Sequence, residues 1–490
     1  MDMDQESPSR KKILKSLFWA YCETISAQVV NFIVTVILAR LLAPSDYGAI
    51  ALVTVFINIA NVFVNSSFSM SLIQKEDADH LDFNTIFWFN GLIAVGFYAI
   101  LFFSAPAIGR YYDYALLTTV LRVLALRIPV SAYNSVQVAF VSNKMMFRKS
   151  FISTSLGALV SGILGIAAAY MGLGLWALVI QSISNVIFNT VFLAVIVEWR
   201  PKFEFSCERL KFLAGFGWKL LATGLLFTGY TELRSLVIGK RYSAEDLGYY
   251  NRGNQFPQLI ASNIDTTITK VMFPTFSKNQ NDSFRLKQMT QRAAKTSAYI
   301  MTPILFGMAI VATSLVRILL TDKWLPCVPY LQIMCVVWWL QPTQSCSIQA
   351  VKAIGRSDIY LRIEVISKII GVSLLVAAVY LFDTPLSIAI TMLLGQAVAV
   401  FLYGFYVHKL IGYTIKEQLK DLFVPALLGL IMAAALYFIG FYIHNTLVCL
   451  IVQIISGAII YVALSYIFKI EEFKYILNLI LRKAGKETEQ

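Results

Sequence analysis

The chain has 490 residues, of which 58% are hydrophobic and only 14% are charged, and its mean hydropathy is +0.68. A soluble protein keeps about a quarter of its residues charged, so this composition excludes an ordinary soluble globular fold. The net charge of +13 comes mostly from Lys and Arg in short loops between apolar runs. This is the positive-inside pattern of a membrane protein, so the sequence predicts no nucleic-acid partner and places both termini in the cytoplasm.

Apolar runs of twenty or more residues follow one another along the chain and predict membrane-spanning helices. The runs lack the two-residue alternation of a membrane barrel, so the predicted fold class is an all-α integral membrane protein. We predict about 14 transmembrane helices, arranged as two six-helix lobes followed by two C-terminal helices. The predicted spans are 17–40, 47–73, 84–107, 115–139, 150–171, 174–197, 210–238, 245–275, 293–320, 327–350, 359–382, 385–407, 421–443 and 446–468.

An internal repeat supports the division into lobes. The segment Ser45–Gly48 follows the first predicted span, and the similar segment Glu245–Gly248 follows the seventh, at an offset of 200 residues. Repeated helical bundles with the binding site between them are a common plan among transporters. We therefore predict an N-terminal lobe over residues 1–200, a C-terminal lobe over 201–410, and a third region over 411–490 with the last two helices and a cytoplasmic tail.

Polar side chains recur along one face of four predicted spans, the first, second, seventh and eighth. Such a side chain costs up to a few kcal/mol at the bilayer centre, so it must face protein or water. Hydrogen bonds between helices are the simpler explanation, but four full-length matched stripes favour a shared aqueous cavity. The stripes include Thr24, Gln28, Asn31 and Thr35; Thr54, Asn58, Asn61 and Asn65; Thr228, Thr231 and Ser235; and Asn251, Gln255, Gln258 and Asp265.

Arg252 is the most informative charge within the predicted spans. Its neighbours along the helix include Asn251, Gln255 and the aromatic residues Tyr249 and Tyr250. A guanidinium in a polar membrane site suits phosphate or pyrophosphate, because it offers several fixed donors and a permanent charge. A structural ion pair or a snorkelling side chain stays open for other charges in the spans.

Motifs for chemistry are lacking in the sequence. It contains no Gly-rich phosphate-binding motif, its three histidines do not cluster, and no nucleophile constellation is recognisable. We therefore predict that the chain is not an enzyme and needs no metal or other cofactor.

Several segments in a fixed order resemble the polysaccharide-export flippases of the MOP (multidrug, oligosaccharidyl-lipid, polysaccharide) superfamily. Within it, the chain resembles the Wzx-like lipopolysaccharide and capsule group, close to the colanic acid exporters. The resembling segments are Leu38–Gly48, Leu72–Glu76, Asp82–Trp88, Gly172–Leu178, Leu247–Arg252, Phe273–Pro274, Lys323–Trp324 and Ala353–Asp358.

The resemblance implies a flippase of the bacterial cytoplasmic (inner) membrane. It would move undecaprenyl-pyrophosphate-linked oligosaccharides by alternating access for surface polysaccharide synthesis, with membrane lipids and glycan polymerase machinery as partners. Related flippases use cavity arginines against pyrophosphate, and in relatives the last two helices form a groove for the lipid tail. From the polar stripes, the charges in the spans and this resemblance together, the predicted substrate-binding set is Arg252, Arg234, Arg127, Asn251, Gln255, Gln258, Asn58, Asn61, Asn65, Gln28 and Asn31, and the candidates for H⁺ or Na⁺ coupling are Glu23, Glu232 and Asp265.

Two other functions compete with this one. A cation-coupled drug or small-molecule antiporter of the same superfamily is expected to have about twelve helices and an acidic cavity. A glycan polymerase or ligase is expected to have a large external loop, which the predicted spans leave no room for. The flippase is therefore the preferred interpretation, and the antiporter is the main alternative.

Overall fold

The computed structural model describes residues 10–66, 69, 72 and 78–478, and the described residues are almost entirely helical, with no strand among them. A π-helical turn covers Val62–Ser66 and a 3₁₀ helix covers Asp322–Cys327. The α-helices are α1 (Arg10–Leu41), α2 (Pro44–Asn61), α3 (His80–Tyr111), α4 (Leu116–Leu124), α5 (Arg127–Asn143), α6 (Phe147–Tyr170), α7 (Leu175–Ile196), α8 (Cys207–Arg241), α9 (Ala244–Ser277), α10 (Ser283–Leu320), α11 (Val328–Ala353), α12 (Ser357–Leu381), α13 (Leu386–Ile411), α14 (Ile415–Tyr442) and α15 (Thr446–Ile467), followed by a short helix over 471–478.

The chain is a multi-pass helical membrane protein. Within its described residues, 11 helical stretches are long and apolar enough to cross a bilayer by length and composition. Helices also lie over the three other predicted spans, as α8, α9 and α11, but these are more polar. The number of 14 crossings therefore stays a prediction, and the helices in question are those with the most functional candidates.

The fourth predicted span corresponds to one candidate membrane span, Leu116–Asn143, but the structure adds a break that divides it into two helices. The break between α4 and α5 lies at Ala125 and Leu126. Pro129 explains its position, since it has no amide hydrogen for a helical bond and its ring displaces the carbonyl of the residue four positions earlier, which is Ala125. The break places Arg127 at the start of α5.

Contacts divide the chain into two compact units, one ending at Gly248 and the other beginning at Tyr249. In the first unit α1 packs on α6, α6 on α7, α3 on α5, and α2 on α8. In the second, α11 packs on α10 and α13, and the C-terminal helices α14 and α15 pack on α10. The predicted boundaries 1–200, 201–410 and 411–490 stay predictions.

The loop before α8 is fixed to the start of α3 by the side chains of the Asp82–Trp88 segment. Arg209 Nη1 lies 2.9 Å from Asp82 Oδ1, which is fully buried. The amide of Lys202 donates to Asn84 Oδ1 at 3.1 Å, and Trp88 Nε1 donates to the carbonyl of Lys202 at 2.8 Å. These bonds set where α8 begins.

In the second unit, buried tyrosines join the C-terminal helices to α10. Tyr299 Oη donates to Ser465 Oγ at 2.7 Å, and Tyr461 Oη donates to the carbonyl of Tyr299 at 3.0 Å. The outer faces of α14 and α15 stay apolar, with Phe441 and Ile467 among their exposed side chains. Such faces suit lipid, where each backbone polar group must find its partner within the protein.

Candidate substrate-binding residues in the membrane helices

A hydrogen bond links the polar stripes of α2 and α8. Asn58 Nδ2 donates to Glu232 Oε1 at 2.8 Å, and both side chains are half-buried. Glu232, which the sequence singles out for ion coupling, is therefore held by a side chain from the first half of the repeat.

Arg234 lies two residues further along α8 and is only 4% exposed. Its Nη2 donates to Tyr230 Oη at 3.1 Å, and its guanidinium carbon lies 4.9 Å from the centre of the same ring. Its Nε is buried without a hydrogen-bond partner, and no described acidic side chain forms an ion pair with it. A buried guanidinium with an unsatisfied donor is suited to an acceptor supplied from outside the chain.

Two other predicted residues of the first unit also keep an unsatisfied atom. Arg127 Nη1 donates to Ser182 Oγ on α7 at 2.8 Å, whereas its Nε is buried without a partner. Asn61 Oδ1 is likewise buried without a partner. An exposed polar atom can bond to water, but these two atoms are buried and lose that water. Each can therefore still form a hydrogen bond that the described contacts do not supply.

The predicted residues of α1 divide between a polar cluster and the surface. Glu23 Oε1 accepts hydrogen bonds from Ser150 Oγ at 2.6 Å and Thr154 Oγ1 at 3.1 Å, both on α6. Gln28 is half-buried and Asn31 is exposed. The remaining candidate of the N-terminal stripes, the side chain of Asn65, lies outside the described residues.

Arg252 is held in an aromatic setting near the start of α9. It is 7% exposed, donates from Nη1 to Gln255 Oε1, and lies 5.7 Å above the centre of the Trp324 ring. The ring of Tyr249 meets Trp324 edge-on at 6.1 Å. A cation within about 6 Å of an indole face is attracted by the ring, so Trp324 helps to hold the guanidinium in place.

Further along α9, polar side chains pair with one another and with α11. Asn254 Nδ2 donates to Gln258 Oε1 at 3.1 Å, and Trp338 Nε1 donates to Asn254 Oδ1 at 2.8 Å. Asn251 is half-buried, and Asp265 Oδ1 is buried without a hydrogen-bond partner. The stripe predicted on this helix is therefore partly satisfied within the second unit.

The structure adds polar residues that the sequence interpretation missed, on α11 and α13. Gln396 Nε2 donates to Gln344 Oε1 at 2.7 Å and to Gln341 Oε1 at 3.1 Å. The sequence carries a signal for them, because α11 has three glutamines between positions 341 and 349 within a predicted membrane span. Trp324, which contacts Arg252, has no sequence signal beyond its place in the Lys323–Trp324 segment.

The structure thus joins Asn58 to Glu232 and Arg252 to Gln255, while Glu23 belongs to a separate cluster with hydroxyls of α6. A cavity lined by all four stripes stays a prediction. Among the described residues, no three His, Cys, Asp or Glu side chains come together in a group that could hold a metal ion.

Residues 37–329 match the protein family described as "Polysaccharide biosynthesis protein". The succinoglycan biosynthesis transport protein ExoT of Rhizobium meliloti is 23% identical over 353 residues, 71% of each chain. The teichuronic acid biosynthesis protein TuaB of Bacillus subtilis is 23% identical over 354 residues, 71% of this chain and 73% of that one. The lipopolysaccharide biosynthesis protein WzxC of Escherichia coli is 22% identical over 429 residues, 86% of each.

Solved structures show the same fold at low identity. The lipid II flippase MurJ in its inward closed conformation superposes with a TM-score of 0.75 at 15% identity, covering 92% of this chain and 98% of that one. An inward-facing MATE transporter of the MOP superfamily superposes at 0.60 and 13% identity, covering 80% and 98%. The chain therefore has the fold of these transporters and, from its match over residues 37–329, belongs to the polysaccharide biosynthesis protein family.

Proposed function

We propose that this protein is a flippase that moves undecaprenyl-pyrophosphate-linked oligosaccharides across the bacterial cytoplasmic membrane for surface polysaccharide synthesis. The observation that carries the proposal is the buried, incompletely bonded guanidinium of Arg234 in a membrane protein of this family. A lone buried cation costs several kcal/mol, and an anionic ligand would remove that cost. The relatives are named as transport or biosynthesis proteins for polysaccharides. These names favour a lipid-linked glycan as that ligand.

The pyrophosphate would be bound by arginine and the sugars by amides. Arg252, which is bonded to Gln255 and in cation–π contact with Trp324, is our first candidate for the pyrophosphate, followed by Arg234 and Arg127. Asn and Gln side chains of α2 and α9 can donate to and accept from sugar hydroxyls without selecting one glycan. The binding step uses hydrogen bonds and charge alone, so translocation needs no covalent chemistry.

We propose that the prenyl tail lies in an apolar cleft of the second unit. It has a volume of about 490 Å³ and lies between α10, α14 and α15. Gly307, Met432, Ile454 and Gly457 are among the residues that line it. Buried apolar area stabilises such a contact by roughly 25 cal/mol per Å², which suits a long hydrocarbon chain.

The energy source we propose is a proton or sodium gradient acting on Glu23, Glu232 or Asp265. Glu23 already has two hydroxyl oxygens around its carboxylate, whereas Asp265 has an unsatisfied oxygen. Flipping in vesicles with imposed pH or sodium gradients would be compared between the native chain and Glu23→Gln, Glu232→Gln and Asp265→Asn. Loss of gradient dependence in one variant identifies the coupling group, and unchanged dependence in all three excludes these carboxylates.

The orientation we propose has both termini in the cytoplasm of a bacterial cell. Reporters would be fused after residue 112, in the loop after α3, and after residue 413, in the loop after α13. The first should report the external side of the membrane and the second the cytoplasm. The same side for both would contradict the predicted topology.

Deleting the gene tests the function directly. We expect an undecaprenyl-linked oligosaccharide to accumulate on the cytoplasmic face, and its mass would identify the glycan. The native gene should reverse the accumulation, and Arg234→Ala should not. Arg356→Ala should reverse it too, because Arg356 is exposed and pairs with Asp358 at 2.8 Å. Sensitivity to cationic dyes without accumulation would favour the drug antiporter instead.

A further inference from the structure

The first turns of α2 and α9 have the same local structure at the offset of 200 residues. In α2 the amide of Ala43 donates to Asp46 Oδ2 at 3.2 Å. In α9 the amide of Ser243 donates to Asp246 Oδ2 at the same distance. An acidic side chain in the first turn also offsets the positive end of each helix dipole. The sequence repeat is therefore a repeat of helix geometry.

These two helix starts pack against each other through a reciprocal glycine contact. A Cβ placed on Gly48 would overlap the carbonyl oxygen of Ala244 and lie 3.1 Å from its Cα. A Cβ placed on Gly248 would overlap the carbonyl oxygen of Pro44 and lie 3.1 Å from its carbonyl carbon. Because 48 matches 248 and 44 matches 244, each repeat presents its glycine to the same carbonyl of the other.

Close approach, and not turn formation, explains both glycines. The positive-φ glycines of the described chain are Gly172, Gly174, Gly355 and Gly412, so Gly48 and Gly248 have ordinary helical backbones. Glycine inside a helix costs roughly 0.5–1 kcal/mol relative to alanine, so it needs a compensating role. The atoms that a methyl group would meet are backbone atoms, which cannot rotate away as a side chain can.

We propose that this reciprocal Gly48–Gly248 contact is the closed external gate of the transport cycle. The inference rests on the proposed function, and the proposed orientation places these helix starts outside. Small residues let helix backbones approach closely without interlocking side chains. Such a contact can separate and re-form without side-chain repacking, which suits a seal between two repeats that must part to release the oligosaccharide.

Spin–spin distances between labels at Ser45→Cys and Glu245→Cys test the gate, in a chain whose native cysteines have been replaced. Both sites are exposed. We expect a population of molecules with a short distance between the labels, which is the closed state. Gly48→Ala and Gly248→Ala should each reduce this population. The ratio of closed to open molecules should fall roughly five- to a hundredfold, the range for forcing a methyl group into a packed contact. The matched control is Gly91→Ala in α3, where a Cβ meets nothing within 4 Å, and its distribution should not change. Distributions that are the same for Gly48→Ala and Gly91→Ala would overturn the proposal.

A second measurement tests the gate without the alanine substitutions, so it does not depend on whether those variants fold. Joining the cysteines at 45 and 245 with a reducible bifunctional reagent should stop flipping, and reduction should restore it. Full activity of the joined protein would overturn the gate. If the distances and the cross-link behave as expected but no lipid-linked oligosaccharide accumulates in the deletion strain, the gate stands and the proposed substrate is wrong.

Discussion

The helices α2 and α9 begin alike and then diverge in chemistry. Position 52 on α2 is a leucine that is 5% exposed. It packs against Gly239 of α8, so closely that a Cβ added to this glycine would lie 2.9 Å from Leu52 Cδ1. The matching position 252 on α9 is an arginine that is 7% exposed and makes a cation–π contact with Trp324. The starts of α2 and α9 share a backbone contact. One turn later, Leu52 packs against α8, whereas Arg252 places a positive charge on α9.

This difference shows that a repeated backbone need not make a chemically symmetric site. Further along, Asn61 matches Ala261 and Asn65 matches Asp265, so the acidic and basic groups accumulate on α9. If the head group is held by charge, its pyrophosphate should lie nearer to the second repeat. The first two of the following predictions test this asymmetry, and the last two test the contacts at and near the helix starts.

The largest effect is expected for Arg252. Removing one partner of a buried, hydrogen-bonded charge contact costs about 2–5 kcal/mol of binding, so Arg252→Ala should abolish flipping at normal protein level. Arg252→Lys should restore part of it, since a lysine keeps the charge but loses the planar guanidinium and its fixed set of donors. Flipping is measured as accumulated lipid-linked oligosaccharide, with Arg317→Ala, an exposed arginine paired with Asp322, as the control. Normal flipping by Arg252→Ala would remove this residue from the site.

Exchanging the two matched positions tests the asymmetry itself. Leu52→Arg would bury a charge beside Gly239 without the indole that Arg252 has, so we expect it to lower the thermal stability of the purified protein. The double exchange Leu52→Arg with Arg252→Leu should fail to flip substrate. Native-like transport by the double exchange would instead make the two halves interchangeable.

A smaller effect is expected for the bond between α2 and α8. Hydrogen bonds between membrane helices are worth about 0.6 kcal/mol on average and up to about 1.7 kcal/mol. A double-mutant cycle on Asn58→Leu and Glu232→Gln, read as unfolding free energy, should give a coupling in this range. Thr231→Val, an exposed neighbour, should show no coupling with Asn58→Leu. Zero coupling between Asn58 and Glu232 would mean that the bond contributes nothing to stability.

The smallest effects are expected at the helix starts. Asp46→Asn and Asp246→Asn should each destabilise the protein by about 0.3–1 kcal/mol through the helix dipole. Asp246→Asn should cost more, because Ser243 Oγ also donates to Asp246 at 2.6 Å whereas Ala43 has no hydroxyl. Ser243→Ala should make the two values equal, as measured by thermal unfolding. A larger cost at Asp46 would contradict this account of the caps.

The sequence by itself determined the all-α membrane fold class, the approximate positions of the helices and the repeat. Long apolar runs are sufficient for this, because a backbone in lipid can satisfy its hydrogen bonds only within the protein, and each helix does so locally. The Asp-x-Gly starts at 46 and 246 could be matched for the same reason, since capping is decided within one turn. The candidate charges were also visible, because a charge in an apolar run is costly wherever it points.

Only the tertiary structure decided which of those side chains meet. Asn58 and Glu232 are 174 positions apart, and Arg252 and Trp324 are 72 apart, so helical periodicity says nothing about either pair. The role of Gly48 was hidden in the same way, because a glycine explained by turn chemistry and one explained by a carbonyl of another helix look identical in sequence. Side-chain partners depend on how helices cross, and crossing is set by packing over the whole unit and not by any local pattern.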